Sequence, residues 1–109
     1  MTKDDLLNEL AGSWRESGLA HGDTLLLHSS TGRLARRVRK EHGLKLDAED
    51  ILDSFLRAVG PSGTLLLPLF NFGFASGQPF DIRHTRSDMG AVTEVARLRE
   101  GAVRTGHPI

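Results

Sequence analysis

Apolar residues first gather on a helical period. Leu6, Leu7, Leu10, Ala11 and Trp14 fall on one helical face, with polar residues between them. Thr2-Lys-Asp-Asp5 reads as the start of this helix, with acids in the first turn where the dipole favours them. Gly18 reads as its C′ stop. The period then changes. His21-Gly-Asp23 reads as a turn, and Thr24-Leu-Leu-Leu-His28 as a short buried strand. Ser29-Ser-Thr-Gly32 is a loop of small residues, followed by a basic helical segment, Arg33–Lys40. Asp47-Ala-Glu-Asp50 repeats the cap-and-acid pattern ahead of a second amphipathic helix with Ile51, Leu52, Phe55, Leu56 and Val59 on one face. Gly60-Pro-Ser-Gly63 is a turn, and Thr64-Leu-Leu-Leu-Pro68 a second buried strand closed by proline.

Leu69–His84 reads as a long loop rich in Phe, Gly and polar groups, a length that is uncommon inside compact domains and often functional. Within it Phe70, Phe72 and Phe74 alternate, which fits a continuing strand with one buried face better than a ligand-stacking wall. A last helix starts at Ser87 or Asp88 and runs to Arg99, with Val92, Val95, Ala96 and Met89 on its core face. Gly101 ends it, and Ala102-Val-Arg104 is expected to open a third strand. Helices alternating with short apolar strands predict an α/β fold, a mostly parallel sheet with helices on both faces. The strand segments GDTLLLHSS and SGTLLLPLF resemble each other weakly, and no repeat of fixed period is present. The stretch from Phe80 closes on Pro-Ile with no capping element. Residues 1–109 are therefore expected to form the N-terminal part of a single domain, incomplete at its C-terminus.

Composition narrows the function classes. A chain of 109 residues is one domain at most. Lys+Arg and Asp+Glu balance at 14 each, which argues against a dominant nucleic-acid surface while leaving room for a local phosphate site. Cysteine is absent, which removes a disulfide framework, a cysteine zinc site and a thiol nucleophile, and is compatible with a reducing cytoplasm. No apolar leader opens the chain, and no apolar run approaches the about 20 residues a membrane span needs. The expectation is a cytoplasmic protein with no membrane or nucleic-acid partner; its oligomeric state is left open.

The first chemical candidate is Leu27-His28-Ser29-Ser30-Thr31-Gly32, where a parallel strand ends and a helix begins. Backbone N–H groups and the helix dipole point the same way at such a junction, and small residues let an anion approach the backbone. Arg33, Arg36 and Arg37 are placed to hold further phosphate oxygens. The pattern is neither a P-loop nor a dinucleotide fingerprint. A plain strand-to-helix loop whose serines cap the next helix fits as well, and the basic run fits a solvated helix face. The histidines at 21, 28, 42, 84 and 107 lack metal-ligand spacing, so no metal is expected. His28 fits a structural histidine, and His107 sits before a proline, on backbone biased to extended geometry. Ser87-Asp-Met-Gly90 is another helix start with small residues, fitting either an anion contact or a simple N-cap.

In this order the pieces resemble the aminoglycoside 3-N-acetyltransferase family of acetyl-CoA-dependent antibiotic N-acetyltransferases. The matching segments are Gly22-Asp-Thr-Leu-Leu-Leu-His-Ser-Ser30, Gly60-Pro-Ser-Gly-Thr-Leu-Leu-Leu-Pro68, Phe80-Asp-Ile-Arg83, Ser87-Asp-Met-Gly90 and Ala102-Val-Arg-Thr-Gly-His-Pro108. The resemblance covers the whole chain and the N-terminal portion of a longer family pattern. It implies acetyl transfer from acetyl-CoA to an amino group of a small-molecule acceptor, an aminoglycoside or amino sugar. It further implies that His28, Ser29, Ser30, Thr31 and Gly32 contact the CoA phosphates, and that Ser87, Met89 and Gly90 line the same cleft. The family's general base lies in a His-Pro-x-His-Ser pattern. His107 and Pro108 match its opening, and the second histidine would follow Ile109. Two segments depart from the family's usual wording, Thr31-Gly-Arg-Leu-Ala35 after the serine pair and Pro68-Leu-Phe-Asn-Phe72, which places Asn71 near the acceptor. Without cysteine the transfer is direct, and this piece alone is expected to be inactive. The alternative function is a non-catalytic phosphate- or nucleotide-binding α/β module.

Overall fold

A computed structural model of the chain describes residues 1–27, 32–68, 77–78, 81–86 and 91–104. Helix α1 spans Lys3–Glu16. Its start is a reciprocal cap: the Asp5 N–H donates to Thr2 Oγ1 at 3.1 Å, and the Thr2 N–H donates to Asp5 Oδ2 at 3.1 Å. It ends at Ser17, with Gly18 in the left-handed region at φ 116°, as the C′ stop predicted. Strand β1 is Thr24–Leu26, helix α2 Gly32–His42 and helix α3 Ala48–Val59. Asp47 and Asp50 cap α3 in the same reciprocal way, at 2.9 and 3.1 Å. Strand β2 is Thr64–Leu66 and helix α4 Ala91–Leu98.

Mixed α/β architecture is therefore present: among the described residues, four helices and one two-stranded parallel sheet. The two similar strand segments pair with each other in register, Thr24 with Thr64 and Leu26 with Leu66. The Leu27 N–H extends the ladder to the Leu66 carbonyl at 2.8 Å. Helix α3 is the hub. It packs on α1, α4 and β2, and the core joins Leu6, Leu7, Val38, Leu46, Ile51, Leu52, Val92 and Ala96. Full burial of side chains such as Ile51 and Leu52 is worth about 1.5–3 kcal/mol each. Polar stitches join α1 to α3 beside this core. Lys3 Nζ meets Asp50 Oδ2 at 2.7 Å, and Trp14 Nε1 donates to Ser54 Oγ at 3.0 Å. The Trp14 ring stacks on Phe55 with centroids 4.6 Å apart. Arg15 donates to the Arg57 and Ala58 carbonyls, acceptors that the end of α3 would otherwise leave open.

Two expectations need correction. The strands were expected to be buried on both faces. Leu65 and Leu67 do pack against the core, but the pleat turns Leu26 and Leu66 the other way, where they are 67% and 50% exposed. Ala102-Val-Arg104 forms no strand. The chain turns there through Gly101 at φ 84°, the Ala102 N–H donates to the Arg99 carbonyl, and Val103 lies open to solvent. The turn takes up this segment's first amide, and the segment joins no ladder among the described residues. The core face of α4 is as expected, with Val92 and Ala96 buried and Val95 half-buried.

Candidate functional site

Parallel pairing brings the C-terminal ends of β1 and β2 to the same edge of the sheet. Leu27 leads there into residue 28, and Pro68 into residue 69. In open α/β sheets this is the end at which ligands bind. The segments holding His28–Thr31 and Asn71 thus depart from adjacent strand ends.

Gly32 is the predicted donor-binding residue that the structure places. It is exposed and is the first residue of α2. Helix α2 differs from α1 and α3 at this end. Those helices carry a reciprocal cap, Thr2 with Asp5 and Asp47 with Asp50, and acids in the first turn, whereas the first turn of α2 holds no acid. Arg33 lies there instead, and the Arg36 guanidinium folds back so that Nη1 would sit 3.7 Å from a Cβ at Gly32. Cations at a helix N-terminus oppose the dipole, so the start of α2 is a locally positive place that an anion would relieve. Arg33, Arg36, Arg37, Arg39 and Lys40 are all exposed. Arg37 pairs with Glu41 at 3.1 Å, an open i,i+4 contact worth about 0.3–0.5 kcal/mol.

A second polar group surrounds loop 81–86. Asp81 organises this loop by itself. Its carboxylate accepts from the Arg83 N–H at 2.8 Å and lies 3.0 Å from His84 Nδ1, while its N–H donates to Thr85 Oγ1 at 2.6 Å. The His84 bond, then the Arg83 amide, holds the Asp81 carboxyl below the usual carboxylate range. Helix α4 grips the same loop from the side. Arg97 forms a two-pronged pair with Glu94, Nε to Oε1 and Nη2 to Oε2 both at 2.9 Å, and reaches the Arg83 carbonyl with Nη1 at 3.1 Å. Arg104 Nη1 donates to the Thr85 carbonyl. The hydrogen bond to Glu94 raises the Arg97 pKa above its ordinary value, while burial and then the Arg97 charge lower that of Arg104.

His28, Ser29, Ser30, Thr31, Asn71, Ser87, Met89, Gly90 and His107 lie outside the described residues, as does the expected start of the last helix. Sequence reasoning missed Asp81 with His84 and Glu94 with Arg97. Both pairs carry i,i+3 spacing, a signal that was available. The reach of Arg104 across 19 residues had none. Among the described residues, no group of three His, Asp or Glu side chains gathers to hold a metal ion, and no helix is long and apolar enough to cross a membrane.

A family model described as aminoglycoside 3-N-acetyltransferase matches residues 26–109. No solved structure matches the chain.

Proposed function

The chain belongs to the aminoglycoside 3-N-acetyltransferase family, and from that premise we propose that it binds acetyl-CoA as acyl donor and serves N-acetylation of an aminoglycoside or amino sugar. In this reading residues 1–109 are the N-terminal part of one α/β domain whose parallel sheet carries helices on both faces, and the protein works in the cytoplasm. The observation that carries the donor assignment is the start of α2: an exposed Gly32 beside Arg33 and Arg36, with no carboxylate in the first turn. This is the chemistry a phosphate group fits, with peptide N–H groups and guanidinium donors facing one anion. His28, Ser29, Ser30 and Thr31 complete that cradle in the proposal, and Ser87, Met89 and Gly90 line the same cleft. Asn71 contacts the acceptor.

The thioester supplies an activated acyl carbon. The acceptor amine attacks that carbon, the C–N bond forms, the C–S bond breaks, and CoA leaves with its sulfur. The amine must lose a proton as it attacks. A histidine of the His-Pro-x-His-Ser pattern, which His107 opens, takes that proton and returns it to the sulfur, a contribution typically worth about 10²–10⁴-fold. Backbone N–H groups hold the oxyanion, and fixing donor and amine together supplies the remaining acceleration.

Calorimetric titration of the chain with CoA and with ADP tests the donor assignment. CoA is expected to bind at least about tenfold tighter than ADP, because the pantetheine arm adds contacts. Arg36→Gln should weaken both ligands by removing a charge-assisted contact. Equal affinities for CoA and ADP would replace the acetyltransferase reading with the non-catalytic phosphate-binding module. No binding of either would remove the donor assignment altogether.

A further inference from the structure

Loop 81–86 has little apolar anchorage. Five of its six residues are exposed, and Ile82, its aliphatic side chain, is 44% exposed. Its order comes from polar contacts, and these converge from α4 and the turn after it. Arg97 spans from Glu94 to the Arg83 carbonyl, 14 residues back. Arg104 spans 19 residues to the Thr85 carbonyl. Arg86, the last residue of the loop, comes within 3.6 Å of the same Glu94 carboxylate.

The Glu94–Arg97 pair is well covered, its side chains 13% and 8% exposed. Removing charge from water is costly, and apolar residues of similar volume often hold a fold as well or better. Register control is the best-attested use of such pairs. Here Arg97 of the pair is aimed at the Arg83 backbone carbonyl, in an exposed loop, rather than at another part of the core. The loop runs directly into Ser87–Gly90, and α4 leaves that stretch at Ala91. Fixing the loop to α4 therefore ties Arg86 to the helix that Ala91 opens.

We propose that Glu94 and Arg97 are positioning residues for donor binding, a clamp that sets loop 81–86 against α4 and so holds Arg86 and Ala91, the described residues that flank the proposed donor-binding positions. The donor part of this inference rests on the function proposed above. A guanidinium fork is needed because one side chain must serve a carboxylate with two donors and a carbonyl with a third; a lysine ammonium supplies the charge without the planar fork.

The test combines amide hydrogen exchange with CoA titration on the whole chain carrying Arg97→Lys. The double variant Glu94→Leu/Arg97→Met removes the pair without leaving a lone buried charge, should Arg97→Lys fold poorly. In either variant the His84 and Thr85 amides, both bonded to the Asp81 carbonyl, are expected to exchange at least about tenfold faster. Amides in the centre of α3 should be unaffected, and CoA should bind about tenfold more weakly. Unchanged exchange at His84 and Thr85 would overturn the clamp. Faster exchange with unchanged CoA affinity would overturn its bearing on the donor. A wild-type chain that fails to bind CoA would refute the proposed function and the donor role together, and the exchange data alone would then decide whether the clamp exists.

Discussion

Gly63→Ala is expected to be severely destabilising, although it adds only a methyl group. Gly63 closes the turn after α3: its N–H donates to the Gly60 carbonyl at 3.0 Å, and the next residue opens β2 through a 2.9 Å bond from the Thr64 N–H to the Asp23 carbonyl. A Cβ at Gly63 would stand 2.3 Å from Val59 Cβ, 2.6 Å from Val59 Cγ2 and 2.6 Å from the Val59 carbonyl oxygen. None of these neighbours can step aside cheaply. Val59 is 0% exposed, its branched side chain has few rotamers, and its carbonyl already accepts from the Gly22 N–H at 2.7 Å. The Gly63 φ lies outside the left-handed region, so the cost is contact rather than backbone preference. Overpacking costs about 1–3 kcal/mol, and the backbone contact puts this site at the upper end. At about 4–8 °C per kcal/mol, the midpoint of thermal unfolding should fall by roughly 12–24 °C. Gly12→Ala is the matched control. It lies inside α1, nothing stands within 4 Å of the added carbon, and replacing a mid-helix glycine should add about 0.5–1 kcal/mol. Melting followed by far-UV circular dichroism compares the two. A Gly63→Ala protein melting within about 2 °C of wild type, or a Gly12→Ala protein melting below it, would refute this reasoning.

Three further outcomes follow from polar contacts. Ser54→Ala should cost about 1–2 kcal/mol, read as a lower urea midpoint at unchanged slope, because Trp14 Nε1 loses its acceptor in a half-buried place. Burial pushes the Asp50 carboxyl up, but Lys3 and the Asp47 amide outweigh it, and its pKa lies below the ordinary value, as does that of Asp5 through its bonds to Thr2. A depressed carboxyl contributes stability that is complete above the unfolded pKa and lost as pH falls through the folded one. The melting temperature should thus hold near neutrality and drop below about pH 4, and Asp50→Asn should make that drop shallower. Arg57→Met should cost about 1 kcal/mol in chemical unfolding, since Arg57 ties Asp53 in α3 to Asp4 and Asn8 in α1.

Local signals read well in this chain where two of them agreed. Thr2 with Asp5, and Asp47 with Asp50, announced helices whose caps take the expected form. Helices alternating with short apolar strands announced a parallel pair, and the threonines that open the two strands face each other across it. The illegible features are those decided by what lies beside a segment. Nothing in Ala102-Val-Arg104 says that the chain turns through Gly101 there and joins no ladder. Nothing in an all-leucine run says which leucines the pleat will leave open, because a run without alternation suits two buried faces as well as one. The charged clamp on loop 81–86 was half legible. Glu94 and Arg97 stand at helical spacing, but their target is the Arg83 backbone carbonyl, which leaves no trace in side-chain patterns.

The polar stitches between α1 and α3 also bear on the timing of synthesis. Trp14 and Ser54 are 40 residues apart, Lys3 and Asp50 47, and Asp4 and Arg57 53. At roughly 5–20 residues per second, α1 precedes its partner on the ribosome by about 2–10 s. Its apolar stripe of Leu6, Leu7 and Ala11 passes that interval without the helix that will bury it, and an isolated helix of this length is marginal in water. The nascent chain therefore exposes a sticky N-terminal segment until α3 emerges, and a ribosome pause anywhere in α2 would prolong that exposure.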